Sequence, residues 1–166
     1  MSFYFVIIGT KDNPLYEAEF GTWKQGGDGV ARFRDEQRHL NQFIAHSSLD
    51  LLEELQWAGT GGSMYLKCIE RFAGTAGGGS GGVVGVAGGV NGAGAGGVWV
   101  SVFLTAGNIK FVLLHDTRAD EPIRQFFYDV YELYTKTLMN PFYSVDMEVR
   151  SAVFDGRVRA GVKKYL

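Results

Sequence analysis

The chain has 166 residues, 46% of them apolar, and a formal net charge of −2. That length suits one domain and that apolar fraction a sizeable core. The balanced charge, with no basic stripe and no run of like charge, argues against a nucleic-acid-binding or polybasic membrane-binding protein, and a single cysteine, Cys68, excludes an internal disulfide and fits a reducing compartment.

Taken in order, Ser2 to Gly9 is an apolar run rich in β-formers. It has no basic leader and stops too early for a signal-peptide core, so it reads as a strand buried on both faces. Lys11-Asp12-Asn13-Pro14 is turn chemistry. Leu15 to Phe20 alternates apolar and charged residues, which predicts a second strand paired antiparallel with the first. Gly21 to Asp35 reads as a loop.

Glu36 to Trp57 is the clearest amphipathic helix. Leu40, Phe43, Ile44, Ser47, Leu51 and Leu55 follow the i, i+3, i+4, i+7 spacing of one apolar face. The opposite face carries Arg38, Gln42, Glu53 and Gln56, and also Leu49, an apolar residue out of place there. His46, Asp50 and Glu54 stack along one edge, four residues apart. Gly59, Gly61 and Gly62 stop the helix. Met64 to Phe72 alternates with period two and predicts a third strand, although its two sides are not cleanly sorted.

From Ala73 to Ile109 there is no charged residue, and 13 of the 24 glycines fall between Gly74 and Gly97. Glycine adds no apolar side chain and loses the most entropy on ordering. The segment therefore reads as a low-complexity insert, not a membrane span. Val98 to Ala106 and Ile109 to His115 predict two further strands around a Gly107-Asn108 turn, completing a meander. Asp120 is read as the N-cap of a second helix, with Pro122 in its first turn. Ile123, Phe126, Phe127, Val130, Tyr134 and Leu138 form its buried face, and Asn140-Pro141 ends it. A last helix spans roughly Ser151 to Lys164, with Phe154, Val158, Val162 and Tyr165 on one side. The order β-β-α-β-β-β-α-α predicts an α+β fold: a five-strand sheet with one long helix on one face and two on the other.

Catalytic chemistry is sparse. His39 and His46 lie two helical turns apart, with Asp50 as the nearest third ligand by spacing, but a structural zinc site prefers four ligands and no cysteine pair exists. His115-Asp116 reads as a turn feature, and Cys68 as a small buried hydrophobe. Gly92, Gly94 and Gly97 match a dinucleotide fingerprint only within the glycine tract, ahead of a strand rather than after one. Gly156 and Gly161 have the spacing of a phosphate loop, but Val162 stands where its lysine must be. No catalytic, cofactor or metal site is expected. Apolar material on expected surfaces stands out instead: Leu49, the Pro141-Phe142-Tyr143 loop, and Tyr128 and Tyr131. Such residues fit a protein-binding protein, with an unrecognised enzyme as the competing reading.

SFYFVIIG, DNPLYEAEF, RHLNQFIAHSSLDLLEE, MYLKCIERF, WVSVFLTAGNIKFVLLHD, FFYDVYELYTKTLMNPFY and RSAVFDGRVRAGVKKYL cover most of the chain in order. Through these strings, HLNQFIAH and MNPFY above all, the chain resembles the sedlin family, the longin-fold subunits of the transport protein particle (TRAPP) tethering complex. The resemblance implies a longin (SNARE-like) fold, no catalysis and no cofactor. It implies an adaptor and structural subunit in transport between endoplasmic reticulum and Golgi, bridging other core subunits to larger peripheral subunits. The assembly is a guanine-nucleotide exchange factor for a Rab GTPase, so the link to the GTPase is indirect. It implies a cytoplasmic location, peripheral at those membranes, touching membrane only through the complex. The family's adaptor-contact aspartate falls on Asp50, and His46, Leu49, Glu53, Glu54, Phe142 and Tyr143 are the other expected partner-binding residues; a plain Asp50–His46 pair is the alternative. A coat-adaptor small chain or another longin regulatory domain is the alternative function. The insert at 74–97 departs from the family's short turn and is expected to loop into solvent from a single domain.

Overall fold

The computed structural model of the protein describes residues 2–33, 35–59, 62–73, 97–117 and 119–166, without the side chains of residues 25 and 73. Strands β1 (Ser2–Ile8) and β2 (Pro14–Gly21) are followed by a short 3-10 turn (Lys24–Gly26) and helix α1 (Asp35–Ala58). Then come β3 (Tyr65–Ala73), β4 (Gly97–Leu104), β5 (Lys110–His115), α2 (Asp120–Leu138) and α3 (Ala152–Tyr165). This is the predicted order. The expected insert lies outside the described residues except for Gly97, which opens β4.

The five strands form one sheet in the order β2-β1-β5-β4-β3, every pairing antiparallel. A central strand must be apolar on both sides when helices cover both faces of its sheet. On β1, Phe3, Phe5 and Ile7 join the cluster that includes Phe126 and Phe127 of α2 and Phe154 of α3, while Tyr4, Val6 and Ile8 join the cluster of Ile44 and Leu52 from α1. On β5, Phe111 and Leu113 point to the first cluster, Val112 and Leu114 to the second. The α2–α3 side is aromatic. The Phe5 ring meets Phe126 edge-on at 5.4 Å, and Phe103 stacks on Phe111 at 5.6 Å. Strand β3 slips register twice against β4, around Cys68, and Lys67 has φ 59°. Bulges of this kind break the period-two pattern, which is why its sides looked unsorted in the sequence.

Two local expectations are corrected. Asp120 is the first helical residue of α2, and Ala119 takes the N-cap position, its carbonyl accepting from the Ile123 N–H at 3.2 Å. Leu138 is exposed at the end of α2 instead of closing the apolar face. The expected α3 is found: Ser151 caps it, accepting from the Phe154 N–H at 3.3 Å, and Tyr165 packs half-buried against the core beside the buried Leu166.

His115 is more than a turn feature. It is buried in the sheet, its Nδ1–H donates to the Thr117 carbonyl at 2.8 Å, and its Nε2 lies 2.8 Å from the Ser101 hydroxyl. Burial pushes its pKa below the ordinary 6.5, against the pull of the Thr117 carbonyl and Asp116. The unfolded chain therefore takes up a proton at a higher pH than the fold does. Stability should be constant above the unfolded pKa and decline as pH falls from about 6.5 toward the lower folded pKa. A plot of melting temperature against pH checks this: His115→Gln should flatten the slope over that window, and an unchanged slope would assign it to other groups.

Candidate interaction surfaces

Helix α1 opens with Asp35 and Glu36 in its first turn, where carboxylates complement the helix dipole. It closes at Gly59, whose φ of 75° favours glycine and whose N–H bonds the Gln56 carbonyl at 3.3 Å. Its buried residues are Asn41, Ile44, Ala45, Ser48, Leu49 and Leu52. Of the expected apolar stripe of Leu40, Phe43, Ile44, Ser47, Leu51 and Leu55, Ile44 is buried and Leu51 and Leu55 pack half-buried on the sheet-side cluster, but the fully buried set is centred about one residue, or about 100°, further round the helix. Leu49, expected on the polar face, is only 7% exposed and sits in the α1–sheet cluster. The sheet receives the small Ala45 and Ser48, and the Ser48 hydroxyl is satisfied within the helix by the Ala45 carbonyl at 2.8 Å. A hydroxyl that bonds its own helix can be buried at little cost. Side-chain size therefore does not decide which face goes inward.

The rotation leaves large apolar groups outside. Leu40 is 46%, Phe43 65% and Trp57 90% exposed. At helical spacing they share the outer face with Asp50 and Glu54, while Glu53 and His46 are exposed beside them. Asp50 does not pair with His46. Among the described residues Asp50, Glu53 and Glu54 have no ion pair or hydrogen bond, and no group of three potential metal ligands occurs. This face holds unneutralised acids between exposed aromatic rings. Sequence periodicity assigned Leu40 and Phe43 to the core, so their exposure was missed; the signal was the competing buried stripe of small residues.

A second surface follows α2. Asn140 Oδ1 accepts from the Phe142 N–H at 3.1 Å, a local Asx turn that breaks the helix. The segment then returns to the β1–β2 end of the sheet. Asp146, at φ 63°, accepts the Thr10 N–H at 2.7 Å and the Thr10 hydroxyl, and the Val149 N–H bonds the Leu15 carbonyl at 2.8 Å on the β2 edge. The Thr10 bonds hold the Asp146 carboxyl below the usual carboxylate range. Tyr143 is half-buried, its hydroxyl donating to the Met147 carbonyl at 2.5 Å, so it braces the loop. Phe142 is 89% exposed, and Met139, Val145 and Met147 are exposed around it. Phe142, Tyr143 and Met147 line an apolar cavity of 530 Å³. Contiguous exposed apolar groups mark interaction sites more often than chance exposure does.

The two surfaces lie on opposite faces of the sheet. They approach the same end of it: Gln56 of α1 bonds Asn108 in the β4–β5 turn at 3.4 Å, beside the strand ends near Thr10. Among the described residues no helix is long and apolar enough to cross a membrane.

The family model described as sedlin matches residues 7–77 and 91–164. The transport protein particle 20 kDa subunit of Schizosaccharomyces pombe is 38% identical over 166 residues, covering 100% of both chains. The probable trafficking protein particle complex subunit 2 of Drosophila melanogaster is 36% identical, covering 99% of this chain and 97% of its own. The trafficking protein particle complex subunit 20 of Saccharomyces cerevisiae is 35% identical, covering 98% and 97%.

Proposed function

The chain belongs to the sedlin family, and from that premise we propose that it is a non-catalytic adaptor and structural subunit of a TRAPP tethering complex. In this reading it joins other core subunits to larger peripheral ones, within an assembly that promotes nucleotide exchange on a Rab GTPase. It works at the cytoplasmic side of endoplasmic reticulum and Golgi membranes and meets them through the complex. The relatives' names support membership of the particle. The insert is read as an elaboration within one domain.

The observation that carries the adaptor role is the outer face of α1, where unpaired Asp50 and Glu54 stand between exposed Phe43 and Trp57. Interface anchors are typically aromatic, and a charge left unpaired in the free subunit offers a contact to an oppositely charged partner. The Phe142 loop, on the other side of the sheet, supplies a second patch, and a bridging subunit needs two separate surfaces. His46 and Glu53 belong to the rim of the first, and Phe142 with its brace Tyr143 to the second.

A tagged full-length chain recovered from its native cell tests this. Asp50→Lys should keep its melting temperature, since an exposed, unpaired group contributes little to folding, and should lose the large peripheral subunits while retaining the small ones. An unchanged set of recovered proteins would refute the assignment of the α1 face. Recovery of coat or SNARE proteins from the unmodified chain would refute the TRAPP reading itself.

A further inference from the structure

At the other end of α1 from Trp57 lies an open cleft of 320 Å³, at the lower end of the roughly 300–1,000 Å³ of small-ligand pockets. Phe33, Val98 and Leu114 form its apolar part beside the charged Arg32 and Asp116, and Gln37 and Asn41, one helical turn apart on α1, line it from the same side. The loop that closes it is tied down, the Arg32 N–H bonding the Ser2 hydroxyl at 3.2 Å. His115 also lines it, but both ring nitrogens are already engaged by Ser101 and Thr117.

Asn41 differs. It is 2% exposed, its Nδ2 is buried without a partner, and its carboxamide makes no hydrogen bond to any described residue. A buried amide without partners is costly, and most buried polar groups are satisfied. A carboxamide offers a donor and an acceptor side by side, the complement of a peptide group. The apolar walls beside it would take one aliphatic side chain. The unmet pairing and the adjoining walls thus describe the same ligand.

We propose that this cavity is a docking site for a short extended peptide segment of a partner protein, with Asn41 reading one backbone amide and Phe33, Val98 and Leu114 holding the neighbouring aliphatic side chain. The inference does not depend on the family reading, because the site lies at the N-terminal end of α1, away from Trp57 and Phe142.

The test is a titration of the full chain with N-acetylvaline N-methylamide, followed by NMR of the Asn41 side-chain amide and the Val98 and Leu114 methyls. Saturable shifts are expected at all three, weakened by about tenfold or more in Asn41→Leu, and absent with an aliphatic alcohol of similar shape. Asn41→Ala serves if the leucine variant does not fold. No saturable shift up to about 50 mM, or equal affinity in the variant, would overturn the proposal and leave the amide to a trapped water.

Discussion

Phe5→Ala is expected to lower stability by about 3–5 kcal/mol, the ordinary cost of removing a fully buried aromatic ring. Phe5 is 0% exposed on the central strand β1. Its ring contacts Tyr16, Phe111, Phe126 and Phe127, so it joins β2, β5 and α2. A cavity there cannot close by one side chain shifting, because its walls belong to three elements that are themselves packed. Domains of this size are stable by only about 5–15 kcal/mol. At roughly 2–4 °C per kcal/mol the melting temperature should fall by on the order of 10 °C. Thermal unfolding by circular dichroism reads this directly; a shift of a degree or two would mean that the α2–sheet core is not packed as described.

The second large effect separates two residues of one helix. Leu49→Ala should cost about 2–5 kcal/mol, because Leu49 is buried against the sheet. Phe43→Ala, at an exposed position, should change stability by no more than about 0.5 kcal/mol. Amphipathic periodicity alone predicts the reverse, with Phe43 in the core and Leu49 outside. Chemical denaturation of both variants therefore decides the rotation of α1. If Phe43→Ala were the more damaging, the outer face would be the inner one, and the proposed docking surface on α1 would be ruled out.

What was legible in the sequence follows from where a single physical signal dominates. Strands β1, β4 and β5 were readable because burial on both faces demands runs such as FYFVII, and no other local signal competes. Helix α2 was readable because Ile123, Phe126, Phe127, Val130 and Tyr134 are large and evenly spaced. Helix α1 was legible as a helix but not in its rotation. Its buried stripe contains Asn41, Ala45 and Ser48, which carry little apolar weight, while Leu40 and Phe43 carry much and stay outside. That pattern appears when a helix has two surfaces to satisfy, and a lone sequence cannot say which one is the sheet. His115 reads in the sequence as a mere turn feature for a related reason. Its role depends on Ser101 from the neighbouring strand, a pairing set by the β4–β5 register. Asp50 was identified through resemblance; its lack of a partner on the helix surface became visible only in three dimensions.

The most direct test of the α1 face as the docking surface is a photo-cross-link from position 43. A benzophenone side chain placed at Phe43 of the full-length chain, irradiated in the native cell and read by mass spectrometry, should join it to another TRAPP subunit. If position 43 yields no cross-link within the particle while the same group at Phe142 does, the outer face of α1 is solvent in the assembled complex and the adaptor assignment is wrong.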